Sequence, residues 1–311
     1  MNGEPSYKPL VSVIIPNYNH APFLKERIDS VLNQSYRHFE VILLDDGSTD
    51  NSREIIESYR GHVKIRHIEY NESNSGSTFK QWQKGLSLAK GEWIWIAESD
   101  DYASQDFLDC LISQITDEGM VYCRSNIVDK DNKPILLYNF KSMPDPEVYP
   151  DFRNSFSMEG IDFGNTYMQQ LNSIPNASAV LFKKELIETV YFSEITQTKL
   201  FGDWLFWLYL LKKSKIRFVS DALNSFRFHA NTVRNDTHFT ATRLLEYRFI
   251  VSCHENYFGS NQKTIDTLLY NYTSGEVPLA KIKLTEHLKI NSFLIKRAPL
   301  LLLKTYLKKV F

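Results

Sequence analysis

This chain of 311 residues is short of cysteine, of long apolar runs and of any excess of charge. The three cysteines, Cys110, Cys123 and Cys253, are too few and too far apart for a disulfide framework or a CxxC metal pair, so packing roles in a reducing compartment are expected. The longest apolar runs, Leu205–Leu211 and Ala298–Leu303, fall well short of a bilayer span, and the first residues carry no apolar signal-peptide core. These absences predict a soluble or peripheral, cytoplasmic protein. Lys plus Arg number 36 against 37 Asp plus Glu, which disfavours nucleic acid as a partner, because such binding needs unpaired cations to displace counterions from phosphates. No GxGxxG follows the first apolar run, which disfavours a dinucleotide-dependent dehydrogenase.

What is present is a regular alternation of short apolar runs and helical patterns, and 43% hydrophobic residues are enough for a large core. Val11–Ile15 reads as a buried strand closed by Pro16-Asn-Tyr-Asn19, and Ala21–Gln34 repeats apolar residues at helical spacing. Glu40–Leu44 is a second strand, followed by Asp45-Asp-Gly-Ser-Thr-Asp50 and a helix around 51–59. Val63–Ile68 reads as a third strand, Phe79–Ala89 as a third helix, and Glu92–Ala97 as a fourth strand running into Glu98-Ser99-Asp100-Asp101. Strands alternating with helices at this spacing predict right-handed βαβ units, an α/β fold and a mainly parallel central sheet. Residues 139–165 read as a long loop or lid, 178–182 as a strand, 200–212 as an aromatic helix, 216–220 and 225–228 as two further strands, and the chain from about His238 as helical. The division expected is a catalytic domain over 1–235 and a C-terminal helical extension over 236–311.

In parallel sheets the ligand crevice lies beyond the carboxyl ends of the strands. The loops after the first, second and fourth strands therefore bring three polar clusters to one rim. The acidic cluster Glu98–Asp101 suits a Mg²⁺ or Mn²⁺ ion that neutralises a departing diphosphate, since such ions take one or two carboxylates plus phosphate oxygens. Glu98 and Asp100, two apart on an extended segment, would then converge on one ligand. In isolation the cluster would as readily be a solvated turn. Asp45 and Asp46 can accept from a base or ribose, or cap the turn at Gly47. Asp203, opening the aromatic helix, can be a general base or a helix-capping aspartate, a role that stabilises by about 1 kcal/mol. The aromatic residues beside it suggest a sugar-stacking surface. Arg227 and His229 end a strand where either can meet a diphosphate or a metal. Asn176-Ala-Ser178 matches a glycosylation sequon and is read as chance.

In this order, Val11–Asn19, Gln34-Ser-Tyr36, Glu40–Asp50, Gly91–Asp101, Gly202-Asp-Trp204 and Phe226-Arg-Phe-His229 resemble the family 2 glycosyltransferases. The resemblance covers roughly residues 9–232 and implies the GT-A fold, a nucleotide-sugar donor and an inverting transfer. Carried over by position, Pro16, Tyr18 and Asp46 line the nucleoside pocket, with Asp46 facing the base, and Asn19 joins the nucleotide-sugar site. Ser99 joins the donor site, Asp100 is the metal ligand with Glu98 near ribose or metal, and Asp203 is the catalytic base. His229 lies by the diphosphate and the metal. Two departures stand out: Glu98 replaces the usual aspartate, and Gly202 stands where many members carry an acid. Lys80 is taken to replace an arginine that usually closes the segment Asn74–Trp82.

The family implies a glycan or lipid-linked sugar acceptor and a place in cell-surface polysaccharide synthesis. The alternatives are a non-catalytic nucleotide-sugar binding subunit and a sugar-phosphate nucleotidyltransferase, though the latter needs a Gly-rich basic loop after the first strand. From Lys281 to Phe311 there are eight basic residues and one acid, Glu286, so that stretch carries +7 and the rest of the chain −8. Such a tail can lie on an anionic bilayer at the cytoplasmic face, or pack on the catalytic domain and display its lysines.

Overall fold

The computed structural model describes residues 8–135, 150–174, 176–229, 240–259, 265–266, 284–297 and 299. Its strands are β1 (Val11–Asn17), β2 (Phe39–Asp45), β3 (Ile65–Tyr70), β4 (Trp93–Ile96), β5 (Tyr102–Ala103), β6 (Met120–Val128), β7 (Phe156–Met158), β8 (Val180–Lys183) and β9 (Ile216–Arg227). The helices are α1 (Ala21–Leu32), α2 (Ser52–Ser58), α3 (Thr78–Leu88), α4 (Phe107–Ser113), α5 (Gly160–Tyr167), α6 (Tyr191–Ile195), α7 (Gly202–Leu211), α8 (Thr240–Phe258) and α9 (Leu284–Arg297). The strands form one sheet in the order β3-β2-β1-β4-β8-β6-β9-β5, with β7 paired to β9.

The first half of the sheet is the parallel arrangement expected from the βαβ pattern: β2 and β4 flank β1, and β3 pairs with β2. Beyond β4 the sheet is mixed, because β8 runs antiparallel to both β4 and β6 while β6 and β9 are parallel. Strands β1, β2 and β4 are buried on both faces, which is why each reads as a continuous apolar run. Alternate residues serve opposite cores. Ile14, Ile42 and Ile96 pack with α3 and α7, whereas Val13, Leu43 and Trp95 pack with α1 and α4.

Several expectations are corrected. The two strands read at 216–220 and 225–228 are one strand, bulged against β6 around Cys123–Ser125 so that Asp221 and Ala222 stand exposed. Of the loop read at 139–165, residues 136–149 lie outside the described residues, while 150–167 contain a short 3-10 turn, β7 and α5. The helix α7 is apolar all round, and Trp204, Phe206, Trp207 and Tyr209 are all buried, so it offers core and no sugar-stacking face.

Among the described residues after 235, helices α8 and α9 are packed onto this core. Leu244, Tyr247, Ile250, Val251 and Phe258 of α8 and Ile290, Phe293 and Leu294 of α9 are buried in the same cluster as α7. Arg297 of α9 pairs with Glu255 of α8 at 2.6 Å. Leu300–Leu303, Tyr306 and Leu307, on which a bilayer contact would depend, lie outside the described residues. Among the described residues no helix is long and apolar enough to cross a membrane.

Candidate active site

The carboxyl ends of β1, β2 and β4 open on a cleft of about 640 Å³. Pro16, Tyr18, Asn19, Asp46, Glu98, Ser99, Asp100 and Asp203 all line it, so the structure gathers residues from four separate sequence segments. His229, the other expected metal ligand, is buried and not among the lining residues, and Lys80 is the exception among the expected nucleotide-sugar residues. It is exposed, does not line the cleft, and its ammonium donates to the Ser75 carbonyl at 3.0 Å.

The two aspartates after β2 divide their labour. Asp45 is the turn acid: it accepts from Asn17 Nδ2 at 2.8 Å and from the backbone and hydroxyl of Ser48 at 3.0 and 2.6 Å. Gly47, at φ +72° and with Ser73 backbone within 2.7 Å of where a Cβ would sit, lets the chain turn there. Asp46 faces the cleft and is held from behind. Its Oδ1 accepts from Asn71 Nδ2, the Ser75 N–H and Gln81 Nε2 at 2.6, 3.0 and 2.7 Å, and its Oδ2 accepts from Ser75 Oγ at 2.7 Å. Oδ2 takes one donor from the protein against the three on Oδ1, so it is the oxygen with room for a further donor from the cleft. Asn19 braces the rim from a left-handed conformation (φ 55°), donating its N–H to Ser48 Oγ and accepting from the Thr49 N–H.

Glu98–Asp101 is a turn, closed by the Asp101 N–H on the Glu98 carbonyl at 3.2 Å, and not the extended segment that would aim Glu98 and Asp100 at one ligand. The turn separates their roles. Glu98 Oε1 accepts from the Trp82 indole at 2.8 Å. Burial, then the adjacent Asp100 charge, pushes the Glu98 carboxyl up to about 8. Asp101 is buried and structural, accepting from Asn176 Nδ2 at 3.0 Å and the Arg227 N–H at 2.9 Å. Burial and the Asp100 charge push it up as well. Asn176, the sequon asparagine, is itself buried and engaged in this contact and in capping Ser178.

Asp100 meets two imidazoles. His229 Nε2 lies 3.1 Å from Asp100 Oδ2, and the His20 ring packs edge-on against His229 with centroids 5.5 Å apart. One donor atom from each of His20, Asp100 and His229 falls within 4.8 Å of the others, a set that could hold a cation. Ser99 Oγ, 2.8 Å from His20 Nδ1, fixes that ring. Burial pushes the Asp100 carboxyl up, but the His229 hydrogen bond and the electrostatic influence of the neighbouring His20 and His229 outweigh it, and the net direction is down. Burial holds the His20 imidazole below its usual range, which favours the neutral, metal-ligating form.

Two positions, His20 and Arg27, carry weight that the sequence reading did not assign, and Arg227 has a different role from the one expected of it. His20 immediately follows the rim loop Pro16–Asn19, and adjacency was its only signal. Arg27 is fully buried beneath the acids, donating from Nε to the Glu98 carbonyl at 2.8 Å with its guanidinium 3.9 Å from Asp101. Burial brings it down to about 10 against the pull of Asp101, Asp100 and Glu98. Its signal was legible, since Leu24, Arg27, Ile28 and Val31 form one helical stripe. Arg227 is likewise buried and out of reach of a diphosphate. It donates to the Asp100 carbonyl at 2.7 Å, to Asn132 Oδ1 at 2.5 Å and to Glu26 Oε2 at 2.6 Å, and so clamps the acidic turn to α1.

Asp203 lies in the first turn of α7, where the helix dipole favours its charge. The neighbouring Trp204 N–H donates to its Oδ1 at 2.8 Å and Asn172 Nδ2 to its Oδ2 at 3.1 Å. Helix α7 has no side-chain cap, so Asp203 is a first-turn acid and not the N-cap. The preceding Gly202 is explained by space: a Cβ there would lie 2.3 Å from Thr198 Oγ1 and 2.4 Å from the Phe79 ring, both buried. The acid common in the family at this position has no room here. Gly202→Asp is expected to destabilise the fold by about 1–3 kcal/mol through overpacking, read as a lower urea midpoint. An unchanged midpoint would refute the packing explanation.

Comparison with known proteins agrees with this geometry. The profile of Glycosyl transferase family 2 matches residues 12–173. The glycosyltransferase GlyG of Streptococcus pneumoniae is 30% identical over 236 residues, covering 72% of this chain and 72% of its own. TuaG of Bacillus subtilis, a glycosyltransferase whose name places it provisionally in teichuronic acid biosynthesis, is 27% identical over 234 residues, or 74% of this chain and 84% of its own. The crystal structure of residues 1–349 of Staphylococcus aureus TarS in complex with UDP-GlcNAc superposes with a TM-score of 0.63 at 20% identity, covering 91% of this chain and 79% of that one.

Proposed function

This chain belongs to glycosyl transferase family 2 and has the GT-A fold, and from that membership we propose an inverting transfer of a sugar from a nucleoside diphosphate sugar, most simply a UDP-sugar, to a hydroxyl of a glycan or lipid-linked glycan in cell-surface polysaccharide synthesis. In this reading residues 1–235 carry the catalytic chemistry and 236–311 form a helical extension. The observation that carries the proposal is a cleft lined by His20 and Asp100, which with the buried His229 form a cation-competent set, and by Asp203, an acid in the first turn of a helix. The assignment of a UDP-sugar and of a cell-wall glycan is supported by the UDP-GlcNAc bound to TarS and by the pathway in TuaG's name.

Two imidazoles and one carboxylate suit Mn²⁺ better than Mg²⁺, which prefers oxygen donors alone. Bound there, the ion supplies Lewis-acid neutralisation of the departing diphosphate. Pro16 and Tyr18 offer apolar and aromatic surface to the nucleoside, and Asp46 Oδ2 accepts a base or ribose donor. Asp203 accepts the proton of the acceptor hydroxyl, so that direct displacement inverts the anomeric carbon.

The test is a thermal-shift series with UDP- and GDP-sugars, each with and without Mn²⁺, followed by assay of released nucleoside diphosphate. Ligand at about a hundredfold over Kd should raise the melting temperature by about 5 °C or more, and only with the ion present. No shift with any nucleotide sugar would sink the donor assignment. A shift without turnover would point to a binding subunit.

A further inference from the structure

We infer that Glu246, on α8 in the C-terminal extension, is a positioning residue that holds the cleft wall carrying Asp203. The inference rests on Asp203 being the base. Glu246 is buried, and its carboxylate takes three consecutive backbone donors from the segment leading into α7. Oε1 accepts from the Lys199 N–H at 2.6 Å, and Oε2 accepts from the Leu200 and Phe201 N–H groups at 2.9 Å each. Phe201 is the N-cap residue of α7, and that helix has no side-chain cap of its own. The polar backbone groups ahead of the helix are therefore satisfied by a carboxylate from elsewhere in the fold, as buried donors must be.

This contact reaches the cleft directly. Thr198, Lys199 and Leu200 line it, and Asp203 follows two residues after Phe201. The next residue of α8, Tyr247, packs its ring against Phe201 and Trp204 with centroids 6.4 and 5.7 Å apart, so α8 grips both flanks of Gly202-Asp203. On the other side Asn172 donates to the Asp203 carboxylate. Asp203 is thus set between a loop pinned by Glu246 and an amide from the 168–176 segment. Nothing in Glu246's own neighbourhood in sequence calls for a buried acid: Leu244, Tyr247, Ile250 and Val251 around it are core. A buried charge is costly unless it is fully hydrogen-bonded, and these three N–H groups are what make it tolerable.

The experiment is E246Q in the full chain, with E246D as the conservative partner. Glutamine keeps the size but turns an amine toward the N–H groups, leaving at least one without an acceptor. Hydrogen–deuterium exchange of the peptide spanning 199–203 should accelerate in E246Q and return toward wild type in E246D; unchanged exchange overturns the inference. In turnover of UDP-GlcNAc, kcat should fall about 100-fold, the cost of misplacing a reacting group by about 1 Å, while the Kd for UDP with Mn²⁺ stays within about threefold. A kcat within threefold of wild type, in a variant whose exchange has risen, also overturns it. If E246Q fails to fold, E246D carries the test: partial acceleration of exchange with a proportionate loss of kcat supports the inference, and either change alone refutes it. A wild-type protein that turns over no nucleotide sugar defeats the transferase reading instead, and the exchange arm still reads whether Glu246 holds the wall.

Discussion

Replacing Asp203 by asparagine is expected to lower the rate of transfer by about 10²- to 10⁴-fold, the span usual for removing a general base, while leaving UDP affinity within about twofold. Asparagine matches aspartate in shape and keeps an oxygen for the Trp204 N–H or for Asn172, so the wall of the cleft should survive. What is lost is a negative charge at the positive end of α7, a difference of about 0.3–1 kcal/mol in stability. The two roles open to this residue therefore separate cleanly. A first-turn acid that only serves the helix would give the small stability loss with no change in rate. A base would give the large rate loss with little change in melting temperature. Measuring kcat, the Kd for UDP and the urea midpoint on one preparation distinguishes them, and an unchanged kcat would remove Asp203 from the mechanism.

Asp100→Asn is expected to have the second largest effect, and to act on the donor. It removes the only carboxylate among His20, Asp100 and His229. Loss of partners that merely orient metal ligands typically costs 10–100-fold in metal affinity, so losing the charged ligand itself should weaken Mn²⁺ binding in the presence of UDP by on the order of 100-fold or more. Chelation of the wild-type protein should mimic it. Glu98→Gln is the control. Glu98 spends its Oε1 on the Trp82 indole, a bond the glutamine oxygen can keep, so its Mn²⁺ affinity should fall by less than about tenfold. The order Asp100 far above Glu98 follows from the turn at 98–101. Equal losses, read by calorimetric titration of Mn²⁺, would mean that both carboxylates reach the ion.

The contrast between Glu98 and Asp100 shows where the sequence stops being legible. Strand-end clusters were readable because apolar runs announce β1, β2 and β4, and parallel strands bring their carboxyl ends to one edge. Aiming within a cluster was not readable, because it depends on a backbone turn whose shape is set by distant partners. Arg27 holds the Glu98 carbonyl, Arg227 holds the Asp100 carbonyl, and Asn176 holds the Asp101 carboxylate. The same limit explains Arg227 and His229. Two apart at and just beyond the end of β9, they looked equally able to meet a diphosphate. Packing sent the guanidinium inward to Glu26 and Asn132 and left the imidazole on Asp100. Lys80 failed for a related reason: position in α3 relative to a motif says nothing about whether a long side chain turns toward the cleft or toward Ser75.

By itself the sequence determined the α/β fold, the parallel half of the sheet, the rim that carries the candidate site, and the family. The first three follow from local periodicity and strand order, and the family from the resemblance of its motifs in their order along the chain. Only the tertiary structure decided that His20 joins Asp100 and His229, that Asp45 is structural while Asp46 faces the cleft, that Gly202 is forced by Thr198 and Phe79, and that an acid in the C-terminal helices braces the wall carrying Asp203. The physical reason is the same in each case. Hydrophobic pattern places backbone elements, but hydrogen bonds and charge pairs inside a buried site are set by atoms brought together from far along the chain. They leave no periodic trace in the order of residues.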